Sequence, residues 1–187
     1  MRPALVCLGW LGVLLALSGC GSVRETAPLR GDLTLEDARA FDEFPLYFAG
    51  ERVDGLPLVA ILRRSDTANY VSFVYGDCTP LASDHGCAPP AEVQVWPGCS
   101  RPAGLYDEAA PGAPAPERAK IRGVPVASFE DGTRLELYPR GLTIVVFARS
   151  REDARRLAEA LRSVKQPTRG GDLPAPERGG SEGVGSC

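Results

Sequence analysis

Between Pro57 and Ala148 several short stretches have apolar residues that recur with a period of two or run unbroken for a few positions, which is the pattern of strands. Asn69 to Tyr75 alternates, with Val71, Phe73 and Tyr75 on one side and Tyr70, Ser72 and Val74 on the other. Glu92 to Trp96 alternates again and is closed by Pro97-Gly98. Val124 to Glu130 and Thr133 to Tyr138 flank Asp131-Gly132, a hairpin signal because both central turn residues must accept positive φ. Pro57 to Leu62 is near-continuously apolar, which suits a strand covered on both faces. Arg63-Arg64-Ser65-Asp66 then reads as a polar turn. Leu142 to Ala148, reached through Pro139 to Gly141, reads as the central strand, and Leu46 to Ala49 as a short one.

A helix stands at each end of these strands. Thr34 is an N-cap with Asp37 as its capping partner, and Leu35, Ala38 and Phe41 share a face up to Pro45. Ser150 with Asp153 caps a second helix over 150–164, whose stripe is Ala154, Leu157, Ala158, Leu161 and Val164. Arg155, Arg156, Glu159 and Arg162 face water, and Pro167 is the stop. Strand runs without alternating helices predict an α+β fold, a largely antiparallel sheet packed by the C-terminal helix, with a short N-terminal helix. Residues 34–166 are expected to form one domain. The Ala/Pro-rich stretch 101–120 has no hydrophobic period and reads as a long loop; the Gly/Pro/Ser/Glu-rich stretch 167–187 reads as a disordered tail that buries nothing.

Before the domain, Arg2 precedes an apolar run from Ala4 to Leu17, shorter than the roughly 20 residues that cross a bilayer. A charged start, a short apolar middle and small residues make a secretory signal. Leu17, Ser18, Gly19 and Cys20 follow it, and this stretch resembles the lipobox of bacterial lipoproteins at all four positions. The resemblance implies that residues 1–19 are a signal peptide and that Cys20 takes a diacylglyceryl group with palmitate-type chains. Cys20 would then become the mature N-terminus, at which two acyl chains hold where one dissociates. Residues 20–33 would be a tether. The implied location is extracytoplasmic, with the membrane as partner through the lipid. The net charge of −3, one unit more negative once Arg2 leaves, argues against nucleic acid as a partner.

Export also frames the cysteines. With Cys7 in the signal and Cys20 lipidated, Cys78, Cys87, Cys99 and Cys187 remain, an even set in an oxidising compartment. Sequence alone leaves all three pairings open. If the strands at 70–75 and 92–96 pair antiparallel, Cys78 and Cys87 fall at one end and Cys99 at the other. That favours Cys78–Cys87, with Cys99 free or paired with Cys187.

The densest polar cluster is Asp77, Cys78, Asp84, His85 and Cys87, with Cys99 beyond. Zinc would suit Cys and His ligands, but no Cys-x-x-Cys or His pair is present, and exported thiols are more often oxidised. A hydrolase would have to use His85, the only histidine, and there is no Gly-x-Ser-x-Gly elbow. Asp77 with Asp84, or Glu51 with Asp54, are the carboxylate pairs on offer. Tyr47, Phe48, Tyr70, Phe73, Tyr75, Trp96, Tyr106 and Tyr138 suit core packing better than a ligand groove, Trp96 being the one expected to be exposed. The expectation is a non-enzymatic domain that binds or scaffolds at the cell envelope, without metal or cofactor and with an envelope protein or small ligand as partner. The alternatives are a ligand-capturing lipoprotein of a transport or signalling system, with an apolar site, and an envelope hydrolase built on His85.

Overall fold

The protein's structure, a computed structural model, describes residues 30–65, 68–78, 88–103, 115–166 and Leu173. Its elements run β1 (Arg30–Gly31), α1 (Leu35–Ala40), β2 (Tyr47–Phe48), β3 (Arg52–Val53), β4 (Leu56–Arg64), β5 (Tyr70–Tyr75) and β6 (Ala91–Pro97). They continue as β7 (Glu117–Ile121), β8 (Val124–Phe129), β9 (Arg134–Leu137), β10 (Leu142–Ala148), α2 (Arg151–Glu159) and β11 (Arg162–Ser163). The main sheet has the order β1-β4-β5-β6-β10-β9-β8-β7, with β3 also on β4; β11 and β2 pair separately. Every pairing is antiparallel except β1 with β4. The fold is thus a mostly antiparallel sheet with two helices, and β10 is central as expected.

Two hairpins turn on two-residue loops with positive φ at both positions, Asp54-Gly55 and Arg122-Gly123, whereas β8 and β9 are joined by a four-residue loop, 130–133, with a 3-10 turn at Glu130–Gly132 and positive φ at Glu130, Asp131 and Gly132. Asp54-Gly55 carries the same local hairpin signal as Asp131-Gly132. Val59 forms a bulge between the Leu58–Tyr75 and Ala60–Val74 pairs. One extra residue there turns both Leu58 and Ile61 to the same side of the sheet.

That side holds the core. Leu58, Ile61, Val71, Phe73, Val93, Val95, Ile144, Val146, Leu135 and Leu137 join Ala38 of α1 and Ala154, Leu157 and Ala158 of α2 in one buried cluster. Each fully buried Leu or Phe contributes about 1.5–3 kcal/mol relative to exposure. Both expected caps form. Thr34 Oγ1 accepts from Asp37 N–H at 3.1 Å while Asp37 Oδ2 accepts from Thr34 N–H at 2.8 Å, closing a capping box. Ser150 Oγ accepts from Asp153 N–H at 3.1 Å, and its hydroxyl donates to Asp153 Oδ2 at 2.7 Å.

Several sequence expectations are corrected. Helix α2 stops at Glu159, not 164, because Arg162–Ser163 pairs with Phe48 and Tyr47, and Val164 N–H donates to Leu46 C=O at 3.0 Å. Leu161 and Val164 remain buried, carried by that short strand. Helix α1 ends at Ala40, well before Pro45, where Phe41 turns extended and its ring meets Phe44 edge-on at 4.9 Å. Arg63 and Arg64, expected in a turn, continue β4: Arg63 pairs with Val71, and its guanidinium reaches Glu43 at 2.7 Å and lies over both Phe rings.

The stretch 101–120 contains most of β7, the last strand of the sheet among the described residues, whose polar residues give no hydrophobic period. The tether ends sooner than residue 33, since β1 docks on β4 and the N–H groups of Asp32 and Leu33 donate to Ile61 C=O. Gly31 is required there: its φ is +129°, and a Cβ at this position would stand only 2.4 Å from the Ile61 carbonyl oxygen. Finally, Leu173, inside the stretch expected to bury nothing, is part of the core cluster. Among the described residues no helix is long and apolar enough to cross a membrane.

Candidate functional site

The alternation that sends Val71, Val93, Val95 and Ile144 into the core sends their neighbours to the opposite face. Across four adjacent strands that face carries Ser72, then Glu92, Gln94 and Trp96, then Thr143, then Arg134 and Glu136. A hydrogen-bond chain runs along it. Ser72 Oγ donates to Glu92 Oε1 at 2.6 Å, Gln94 Nε2 donates to the same oxygen at 2.9 Å, and Trp96 Nε1 donates to Gln94 Oε1 at 3.1 Å. Trp96 is buried, against expectation, because Tyr70 stacks on it at 4.0 Å and the Arg101 guanidinium lies 5.2 Å from its ring centre.

The turn after β6 brings Arg101 back over this face, its N–H bonded to Pro97 C=O and its C=O accepting from Thr143 Oγ1 at 2.6 Å. Its guanidinium meets Glu136 at 2.5 Å, with the two side chains 8% and 1% exposed. The Tyr138 hydroxyl donates to the other Glu136 oxygen at 3.3 Å, and Arg134 stands 3.8 Å away. Desolvating both charges is tolerable only because they meet each other and further donors. Sequence reasoning missed this pair. Arg134 and Glu136 alternate with Leu135 and Leu137, which sets their face, but nothing local tells that the face is covered.

A second polar locus lies where the β3–β4 hairpin meets the start of α2, a cleft of about 220 Å³ with Val53, Pro90 and Arg149 in its walls. Asp54 binds Arg156 Nε at 2.8 Å, and that guanidinium also meets Glu152 at 2.5 Å and Asp153. Glu51, which with Asp54 is one of the carboxylate pairs on offer, meets Arg39 at 3.6 Å. The two carboxylates therefore go to different cations.

Cys78 and Cys99 are both disulfide-bonded. Tyr75 lies opposite Ala91 and Val71 opposite Val95, so the two cysteines stand at opposite ends of the β5–β6 pair. Bonded cysteines need Cα atoms within about 7 Å, so these two have separate partners. With its sulfur in a disulfide, Cys78 is not available as a thiolate ligand, which removes it from the zinc reading. Among the described residues no group of His, Cys, Asp and Glu stands together as a metal site. Cys20, Cys87, Cys187, His85, Asp84 and Tyr106 lie outside the described residues.

Of the remaining aromatics, Tyr47, Phe48, Phe73, Tyr75 and Tyr138 are buried. The Tyr75 hydroxyl accepts from Ala49 N–H at 2.8 Å, and burial pushes both the Tyr75 and Tyr47 phenols above their ordinary range. Neither carries charge near neutrality, and both serve packing. The Ser72–Glu92 contact is a serine–carboxylate hydrogen bond with Gln94 as its neighbour, an arrangement that orders the sheet face. Set against known protein families, curated proteins and solved structures, the chain matches none.

Proposed function

We propose that this chain is a lipid-anchored extracytoplasmic domain that binds or scaffolds at the cell envelope and performs no catalysis. The observation that supports it best is the pair of disulfide-bonded cysteines, Cys78 and Cys99. Thiols in the cytosol are kept reduced, whereas exported chains keep their disulfides, and export is what a signal ending in Leu17-Ser18-Gly19-Cys20 would achieve. On this reading Cys78 bonds Cys87, at the same end of the β5–β6 pair, and Cys99 bonds Cys187. Helix α2 is the principal cover of the core face. The lipid on Cys20 is joined to β1 by about ten residues, a reach of at most about 34 Å. The domain therefore sits close to the bilayer with its β1–β4 edge nearest the anchor.

The test is Cys20→Ser in the native host. Acyl labelling should vanish and the protein should leave the membrane fraction. Labelling that persists in the variant refutes the anchor.

A further inference from the structure

The walls of the cleft between the β3–β4 hairpin and the start of α2 divide by burial. Val53, Ala91 and Leu157 are less than a tenth exposed and form an apolar floor, which Leu56 extends. Asp54, Arg149, Asp153 and Arg156 are more open to water and form the rim. At about 30 Å³ per water molecule, the cleft's volume of about 220 Å³ holds roughly seven waters, so it suits a solute of about that many heavy atoms.

The charges of the rim are unevenly spent. Arg156 donates from Nε to Asp54 Oδ2 at 2.8 Å, from Nη1 to Glu152 and from Nη2 to Asp153 Oδ1, which commits all three of its nitrogens. The other Asp153 oxygen accepts from the Ser150 hydroxyl at 2.7 Å. Two groups are left over. Among the described residues no carboxylate meets Arg149, and Asp54 Oδ1 accepts from no donor. An unspent cation and an unspent carboxylate oxygen therefore share the mouth of one apolar cleft. A simple anion would satisfy Arg149 but stand beside Asp54 and Asp153. A simple cation would satisfy Asp54 but stand beside Arg149. A zwitterion meets both demands, and each charge rejects the ligand that lacks its partner. Treated as a sphere, a volume of about 220 Å³ is roughly 7–8 Å across, so the two ends of one small molecule reach both walls.

We infer that this cleft binds a free α-amino acid with a branched apolar side chain, of about the size of valine or leucine. The side chain rests on the floor, the carboxylate meets Arg149 and the ammonium meets Asp54. This names a ligand for the binding domain proposed above and rests on that reading, but it does not need the lipid anchor.

The experiment uses the full chain in non-ionic detergent with L-leucine as the probe, read by calorimetric titration and by amide NMR shifts. Leucine should bind saturably, raise the melting temperature and shift the amides of Asp54, Ala91 and Leu157. Three analogues should each bind about tenfold or more weakly: 4-methylpentanoic acid lacks the ammonium, 3-methylbutylamine lacks the carboxylate, and glycine lacks the apolar side chain. Arg149→Gln, at an exposed site, should keep the melting temperature and lose leucine affinity about tenfold or more, while binding 3-methylbutylamine at least as well as the native chain does. Cys20→Ser should bind leucine as tightly as the native chain, so failure of the anchor and failure of the cleft are read separately. The inference is overturned if leucine does not bind at tens of millimolar, if any of the three analogues binds equally well, or if Arg149→Gln leaves leucine affinity unchanged. It is equally overturned if the amide shifts map away from the cleft, or if Cys20→Ser loses leucine binding.

Discussion

Replacing Arg101 with Met should be among the most damaging single changes on the sheet's polar face. The substitution keeps an apolar stem against Trp96 and removes the guanidinium that meets Glu136 at 2.5 Å. Glu136 is 1% exposed, so its carboxylate cannot recover hydration without opening the face. Breaking one side of a buried pair costs about 3–5 kcal/mol, and loss of the cation over the indole adds about 0.5–1 kcal/mol. The Tyr138 hydroxyl and Arg134, at 3.3 and 3.8 Å, remain to soften the loss. The net expectation is destabilisation of about 3–4 kcal/mol, or roughly 8–12 °C in melting temperature for a domain of this size. Urea unfolding followed by tryptophan fluorescence measures it directly, since Trp96 lies under the substituted group.

The second half of the test is Arg101→Met combined with Glu136→Leu. With both charges gone no ion is left stranded, and stability should return to within about 1 kcal/mol of the native chain. The reasoning is refuted if Arg101→Met alone costs less than about 1 kcal/mol. It is also refuted if the double variant is no more stable than the single one.

Leu173→Ala should destabilise by about 2–4 kcal/mol, and truncation after Gln166 by at least as much, because Leu173 belongs to the core; a truncated chain with an unchanged melting temperature would contradict that burial. Reductant should lower the melting temperature while a chelator leaves it alone, and non-reducing peptide mapping should link Cys78 to Cys87 and Cys99 to Cys187, any other linkage disproving the pairing. Thr34 holds the Asp37 carboxyl below its ordinary range, so the contribution of the capping box is complete above about pH 4 and is lost as pH falls through the lowered folded value. Thr34→Ala should therefore flatten the acid limb of the stability–pH curve, and an unchanged limb would show that the box does not titrate with folding.

Much of this fold is written in contacts between near neighbours. Thr34 with Asp37 and Ser150 with Asp153 cap helices from three residues away. Asp131 and Gly132 accept positive φ whatever surrounds them, and the period-two runs set which residues share a face. The cysteine count and the N-terminal stretch are equally readable in order along the chain. What the tertiary structure decided depends on distant partners. Whether 162–163 continues a helix or becomes a strand is settled by the open backbone of Tyr47 and Phe48. Whether Arg30–Gly31 is tether or strand depends on the Ile61 carbonyl. Glu136 reads as a solvent-facing strand residue until Arg101, from a Pro-rich stretch with no periodicity, folds back over it. Leu173 is an isolated apolar residue between Asp172 and Pro174, and periodicity gives no sign of a single anchor. Patterns within a few residues carry local geometry and facing; the covering of a face and the pairing of an edge are fixed by chain segments far apart in sequence, and those only the packed structure brings together.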